Sequence, residues 1–244
     1  MGASMITRRT FIAAVTAAVA GGLAGCSDSS GSDGTASSAV TVTPYSLSHG
    51  ERQLWLKLER DSHVEKNEAA HLYVFENGKL VSRSVSAVKL GDLRDRSDEE
   101  VESAFEESDQ AFIDAYPTEA QAKQLVNYYK MDEPYDVSAV IVEADGTGNN
   151  AKSERLRMDG VREKTTQYTP AGALPTTAME TLTLEFELSS SFDEDPWTIY
   201  EDRYGGFRVS TNQKGSTWFV TRLDQSKTYA LELDAPGTEG VQSE

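Results

Sequence analysis

Residues 135–158 read "YDVSAVIVEADGTGNNAKSERLRM", and how this stretch is read decides the fold. Its first part, "VSAVIV", is β-branched and alternating, the period-two pattern of a strand. Asp145-Gly146 and Gly148-Asn149 follow, turn formers through their local hydrogen bonding and left-handed backbone. "KSERLRM" then resumes a strand pattern. Strand, short turn and strand make an antiparallel hairpin.

The same letters carry a second outline. From Glu143 to Glu154 the spacing matches a twelve-residue calcium loop, with Glu143, Asp145, Thr147 and Glu154 at oxygen-donor positions and Gly148 at the bend. Glu replaces Asp at the first position, Thr is a poor donor at the fifth, and Asn150 stands where an apolar residue joins paired loops. The preceding strand pattern also occupies the place of the entering helix. The expectation is therefore a hairpin turn, with Ca2+ on those four residues as the alternative and no other cofactor.

Outward on the N-terminal side, Leu54, Leu56 and Leu58 alternate with Trp55, Lys57 and Glu59, which predicts a half-buried strand. Asn77-Gly78 lies between apolar runs, a two-residue hairpin signal that would set Glu76 opposite Lys79 and Phe75 opposite Leu80. Ser97 with Glu100 forms a capping box, and Val101, Phe105, Ala111 and Phe112 recur near helical spacing up to Tyr116-Pro117. A second helical run, "TEAQAKQLVNYYK", stops before Pro134.

On the C-terminal side, the stretch 159–180, with "GVREKTTQYTPAGALPTTAME", is loop-like and is a candidate divider of two subdomains. "TLTLEFEL", "TWFVTRLD" and "TYALELD" return to period two, with Leu182, Leu184, Phe186 and Leu188 on one face. The predicted class is α+β: a mainly antiparallel sheet with a central helical insert of one or two helices over about 97–131.

The N-terminal region gives an address. Arg8 and Arg9 precede an apolar run from Phe11 to Ala20, and small residues lead to Cys26. The run is short for a membrane span, which takes about 20 apolar residues, and reads as a removable signal over 1–25. Thr7-Arg8-Arg9-Thr10-Phe11-Ile12 resembles a twin-arginine export motif, and Leu23-Ala24-Gly25-Cys26 resembles a bacterial lipobox. That resemblance implies a diacylglycerol thioether on Cys26, an anchor in the membrane, and residence on the outer face of the cytoplasmic membrane. Cys26 is the single cysteine, so packing rather than disulfides must hold the body.

Residues 26–39 hold the Cys and a Ser, Gly and Asp tract, read as a flexible tether of about 45 Å at full reach. A single domain is expected over 40–244. "GGFRVS", "FVTRLD" and "YALELDAPGTEGV" are similar to the C-terminal part of small uncharacterised lipoproteins of Gram-positive bacteria, a likeness that implies no activity. The net charge is −17, and loss of 1–25 makes it two units more negative. Such a chain repels nucleic acid and anionic headgroups. The acidity fits a salty exterior or a basic partner, and equally simple solubility, leaving bacterial and haloarchaeal origins open.

Candidate chemistry is sparse. His63 and His71 flank Glu65 and Glu68 in a polar stretch and read as solvated, as does His49 beside Gly50. Asp193, Glu194 and Asp195 read as a solvated turn. Trp197, Tyr200, Tyr204 and Trp218 concentrate near Gly205-Gly206, either as core or as an aromatic platform for carbohydrate or peptide. A binding or interaction module is the leading expectation. An extracytoplasmic hydrolase of wall material, with two carboxylates about 5–9.5 Å apart, and a surface immunity or structural protein are the alternatives.

Overall fold

The computed structural model describes residues 39–59, 67–115, 131, 133–165, 177–189, 197–210 and 217–244. The export signal, Cys26, the tether, His63, the second helical run and the Asp193–Asp195 turn lie outside the described residues.

The elements in order are β1 (Val40–Val42), α1 (Pro44–His49), β2 (Gln53–Glu59), β3 (Ala69–Glu76), β4 (Lys79–Arg83), β5 (Val88–Lys89), a 3-10 turn (Leu90–Leu93) and α2 (Asp98–Asp114). After these come β6 (Tyr135–Ala144), β7 (Ala151–Thr165), β8 (Thr177–Ser189), β9 (Trp197–Ile199), β10 (Asp202–Ser210), β11 (Thr217–Leu223), β12 (Tyr229–Leu231) and β13 (Gln242–Ser243). Strands β2, β3, β4, β6, β7, β8, β10 and β11 pair in that order, all antiparallel, and β11 pairs back onto β2. The result is a closed up-and-down barrel of eight strands, which removes the exposed edges of an open sheet.

A barrel of eight strands has an interior just wide enough for side chains to fill it. Here Trp55, Tyr73, Phe75, Tyr135, Leu156, Met158, Phe186, Phe207 and Phe219 do so. The Phe219 ring stands 5.2 Å from Trp55, 5.2 Å from Phe186, 5.7 Å from Tyr73 and 5.9 Å from Phe75, so it is the hub of the core. Opposite Tyr135 only glycine fits on β7: a Cβ on Gly160 would come within 1.9 Å of the Tyr135 ring.

Strand β2 is buried on both faces rather than half-buried. Trp55 points into the barrel, while Leu56 and Leu58 face outward with Ala70, Leu72 and Val74 of β3 into a second core under α2 and the 3-10 turn. Helix α2 supplies Val101, Ala104 and Phe105 to that core. Its start is the expected capping box, with Ser97 Oγ accepting from the Glu100 N–H and Glu100 Oε2 accepting from the Ser97 N–H. Polar anchors fix both ends of the helix. Asp109 accepts from the Val85 N–H at 3.0 Å and the Ser86 N–H at 2.6 Å, and Arg222 donates to the Arg96 carbonyl at 2.7 Å and to Asp98 Oδ1 at 2.9 Å.

A plug covers one end of the barrel. Strand β1 pairs in parallel with β12, apart from the barrel, and α1 follows β1 with Thr43 as N-cap and Pro44 in its first turn. Val42 and Leu47 are buried in the barrel core, where Leu231 and Leu233 also pack. Strand β13 runs parallel along β6 at Val140 and Ile141.

Mainly antiparallel sheet was the expectation and is what forms, with α2 as the long helix of the described residues. The loop expected through 159–180 is corrected: β7 continues to Thr165 and β8 begins at Thr177, paired from Asp159↔Thr183 to Thr165↔Thr177. Pro170 and Pro175 suggested a loop over the whole stretch, but the strands run on through its flanks. His49 is not a solvated turn residue: it ends α1, stacks on Tyr45 at 4.1 Å, and burial lowers its pKa. His71 lies within β3 and is half-buried, because the strand begins two residues before it. No helix among the described residues is long and apolar enough to cross a membrane.

Candidate functional site

The tight turn from β9 to β10 places Tyr200 at its tip, with Ile199 paired to Asp202. Tyr200 has φ 56°, left-handed backbone that an aromatic residue seldom adopts, and 49% of it is exposed. The Arg94 guanidinium lies 4.8 Å from its ring centroid and also pairs with Asp95 at 3.0 Å. Asp95 is itself at φ 56°. Two non-glycine residues in left-handed backbone thus flank one cation–π contact. Strain of this kind persists only where the surroundings over-determine it, and it clusters at functional sites.

The surroundings are the outer surface of β10 and β11. The Asp202 carboxyl accepts a hydrogen bond from the Asp95 amide, while its Oδ2 is buried without a partner. Burial raises its pKa, and the nearby Arg222 charge works against that rise. Tyr204 is 2% exposed, and burial pushes its hydroxyl up to about 12. Trp197 and Trp218 meet edge to face at 4.8 Å, half-buried against the second core.

Of the four expected platform residues, then, Tyr204 is core and the two tryptophans pack on each other, leaving Tyr200 as the ring that offers a broad surface. No local pattern in the sequence marks its partners Arg94, Asp95, Asp202 and Arg222. Chemically the corner combines an aromatic ring, a guanidinium and carboxylates, suited to stacking against a ligand while bonding its hydroxyls or amides.

The candidate calcium residues are not brought together. Glu143 pairs with Lys152 at 2.8 Å. Asp145 sits in the turn between β6 and β7, where Oδ1 accepts from the Thr147 N–H at 3.0 Å, the Thr147 hydroxyl at 2.6 Å and the Asn149 N–H at 3.2 Å. Its Oδ2 accepts from the Asn150 side-chain amide at 2.7 Å. These bonds, from Thr147 foremost and then Asn150, hold its carboxyl well below the usual range. Glu154 faces the other way, 0% exposed on the inner row of β7 with Leu156 and Met158. Its Oε2 accepts from the Asp234 N–H at 2.9 Å.

Comparison of the chain with protein-family models, with curated proteins and with solved structures finds no match.

Proposed function

We propose that the protein is a lipid-anchored binding module on the outer face of the cytoplasmic membrane, held there through a diacylglycerol on Cys26, and that the Tyr200–Arg94 corner takes neutral carbohydrate. The observation that carries the reading is the half-exposed Tyr200 ring held at φ 56° under Arg94. A residue kept in costly backbone at an exposed turn makes sense where it contacts something outside the fold. A net charge of −17 disfavours anionic polymers, which leaves neutral sugars with flat apolar faces and hydroxyls as the matching chemistry. The alternative hydrolase reading needs two carboxylates spaced across an open cleft. The buried pair Glu154 and Asp234 lies instead where the plug meets the barrel.

The test is a titration of the chain with soluble N-acetylhexosamine oligomers, followed by tryptophan fluorescence. Saturable binding that Tyr200→Ala abolishes supports the reading; binding unchanged in Tyr200→Ala rejects the corner.

A further inference from the structure

Glu154 is a carboxyl enclosed at the plugged end of an apolar barrel. Its Oε2 is bonded to the Asp234 N–H, and its Oε1 is buried without a hydrogen-bond partner. Asp234 is 4% exposed, and its own carboxylate accepts the Tyr45 N–H at 2.7 Å. Because Oε2 is bonded to the Asp234 backbone, the Asp234 carboxylate is a neighbouring charge for Glu154. Two ionised carboxylates in such a place repel, and a buried charge without a partner is costly. One proton held between them removes both problems, because a protonated Oε1 donates to the Asp234 carboxylate.

We propose that Glu154 and Asp234 form a proton-sharing latch: the shared proton holds the plug, made of α1 and the segment around Asp234, onto the barrel end, and its loss lets the plug open. The latch joins three parts of the chain far apart in sequence, the start of α1 at Tyr45, β7 at Glu154 and the C-terminal segment at Asp234. Releasing it frees Val42, Leu47, Leu231 and Leu233 from the barrel core together.

The groups facing Glu154 set the sign. Ile141 on β6 and Leu188 on β8 stand opposite it and carry no charge. Arg155, next along β7, turns to Glu185 and Glu244 on the outside. From the plug come Asp234, Tyr45 and His49, and the His49 ring feels the Asp234 charge. Burial, and after it the Asp234 charge, push Glu154 up to about 8 from 4.5. Closure is therefore strongest below about pH 4.5 and weakens as the pH rises to about 8, because opening releases one proton in that window. His49 works in the opposite sense: its pKa is lowered in the closed form, so opening takes up a proton on the acid side.

The experiment is hydrogen exchange by mass spectrometry on the full chain from pH 5 to 9, corrected for the intrinsic base dependence of exchange. Peptides covering 43–47 and 229–236 report the plug, and peptides from β3 report the barrel. The plug opening constant of the wild type is expected to rise about tenfold per pH unit between about pH 6.5 and 8 and then level off, the signature of one released proton, with a shallower slope below pH 6.5 where His49 takes up a proton on opening. In Glu154→Gln, whose amide oxygen still accepts the Asp234 N–H but which has no proton to lose, the rise disappears. A flat wild-type profile overturns the latch, as does the same slope in Glu154→Gln. Should that variant not fold, Asp234→Asn is the second, with the slope expected to fall and an unchanged slope counting against the proposal.

Discussion

Asp234 donates its backbone N–H to Glu154 Oε2 at 2.9 Å, and both residues are buried at the plugged end of the barrel. They are 80 positions apart, so the contact closes most of the C-terminal half of the chain into one unit. It also makes a polar pair a structural member of an otherwise apolar core.

Stability should therefore depend on pH with a defined sign. Glu154 titrates at about 8 in the folded chain against 4.5 ordinarily, so its contribution is complete below the lower value and is lost as the pH rises through the upper one. Unfolding free energies of the wild type from urea titrations should fall between about pH 6.5 and 8, by an amount on the order of a few kcal/mol, while those of Glu154→Gln stay level over that range. Equal slopes in the two proteins would contradict the assignment.

The barrel core centres on Phe219. Phe219→Ala should cost about 3–5 kcal/mol in urea unfolding, the usual range for emptying a buried aromatic site. A loss below about 1 kcal/mol would mean that the ring cluster around Trp55, Tyr73, Phe75 and Phe186 does not depend on it.

Much of this architecture could be read from local pattern. Residues 135–144 form β6 with the boundaries its alternation predicts, and Asn77-Gly78 makes the expected turn, both residues at positive φ with Glu76 opposite Lys79. The Ser97 capping box marks the start of α2 for the same reason: its signal lies within four residues. Closure of the barrel was not legible, because β10 meets β11 and β8 while β11 meets β2 across most of the chain. Nor was the double burial of β2, since Lys57 and Glu59 beside Trp55 resemble a solvated face. At the site the aromatics were visible, but Arg94 over Tyr200 is a contact between distant segments.

Helix α2 should depend on Asp109, whose carboxylate takes the Val85 and Ser86 amides. Asp109→Ala leaves those donors without their acceptor and should cost about 1–3 kcal/mol. The expected readout is faster amide exchange in α2 than in β6; uniform acceleration across the barrel would show that helix and barrel unfold as one unit.

The turn at Asp145 already fills its carboxylate with Thr147, Asn149 and Asn150 donors. Millimolar calcium should accordingly leave the melting temperature where a chelator leaves it. A bound ion at a hundred times its dissociation constant would add about 2.7 kcal/mol, so a clear upward shift abolished by Asp145→Ala would restore the calcium reading.

The proposed membrane attachment rests on Cys26 and the arginine pair. Cys26→Ser should abolish incorporation of labelled fatty acid, and Arg8→Lys with Arg9→Lys should hold the precursor inside the cell. Labelling that persists in Cys26→Ser would remove the anchor from the account.

Strain at Tyr200 and recognition by Tyr200 are two sides of one claim, and a single spectrum tests them. Two-dimensional NMR of the chain during titration with N-acetylhexosamine oligomers should show shifts centred on Arg94, Asp95, Trp197 and Tyr200. In Tyr200→Gly, which relieves about 1 kcal/mol of left-handed backbone cost, those shifts should vanish from a fold that is at least as stable. No shifts in the wild type, or shifts that survive in Tyr200→Gly, would contradict the account.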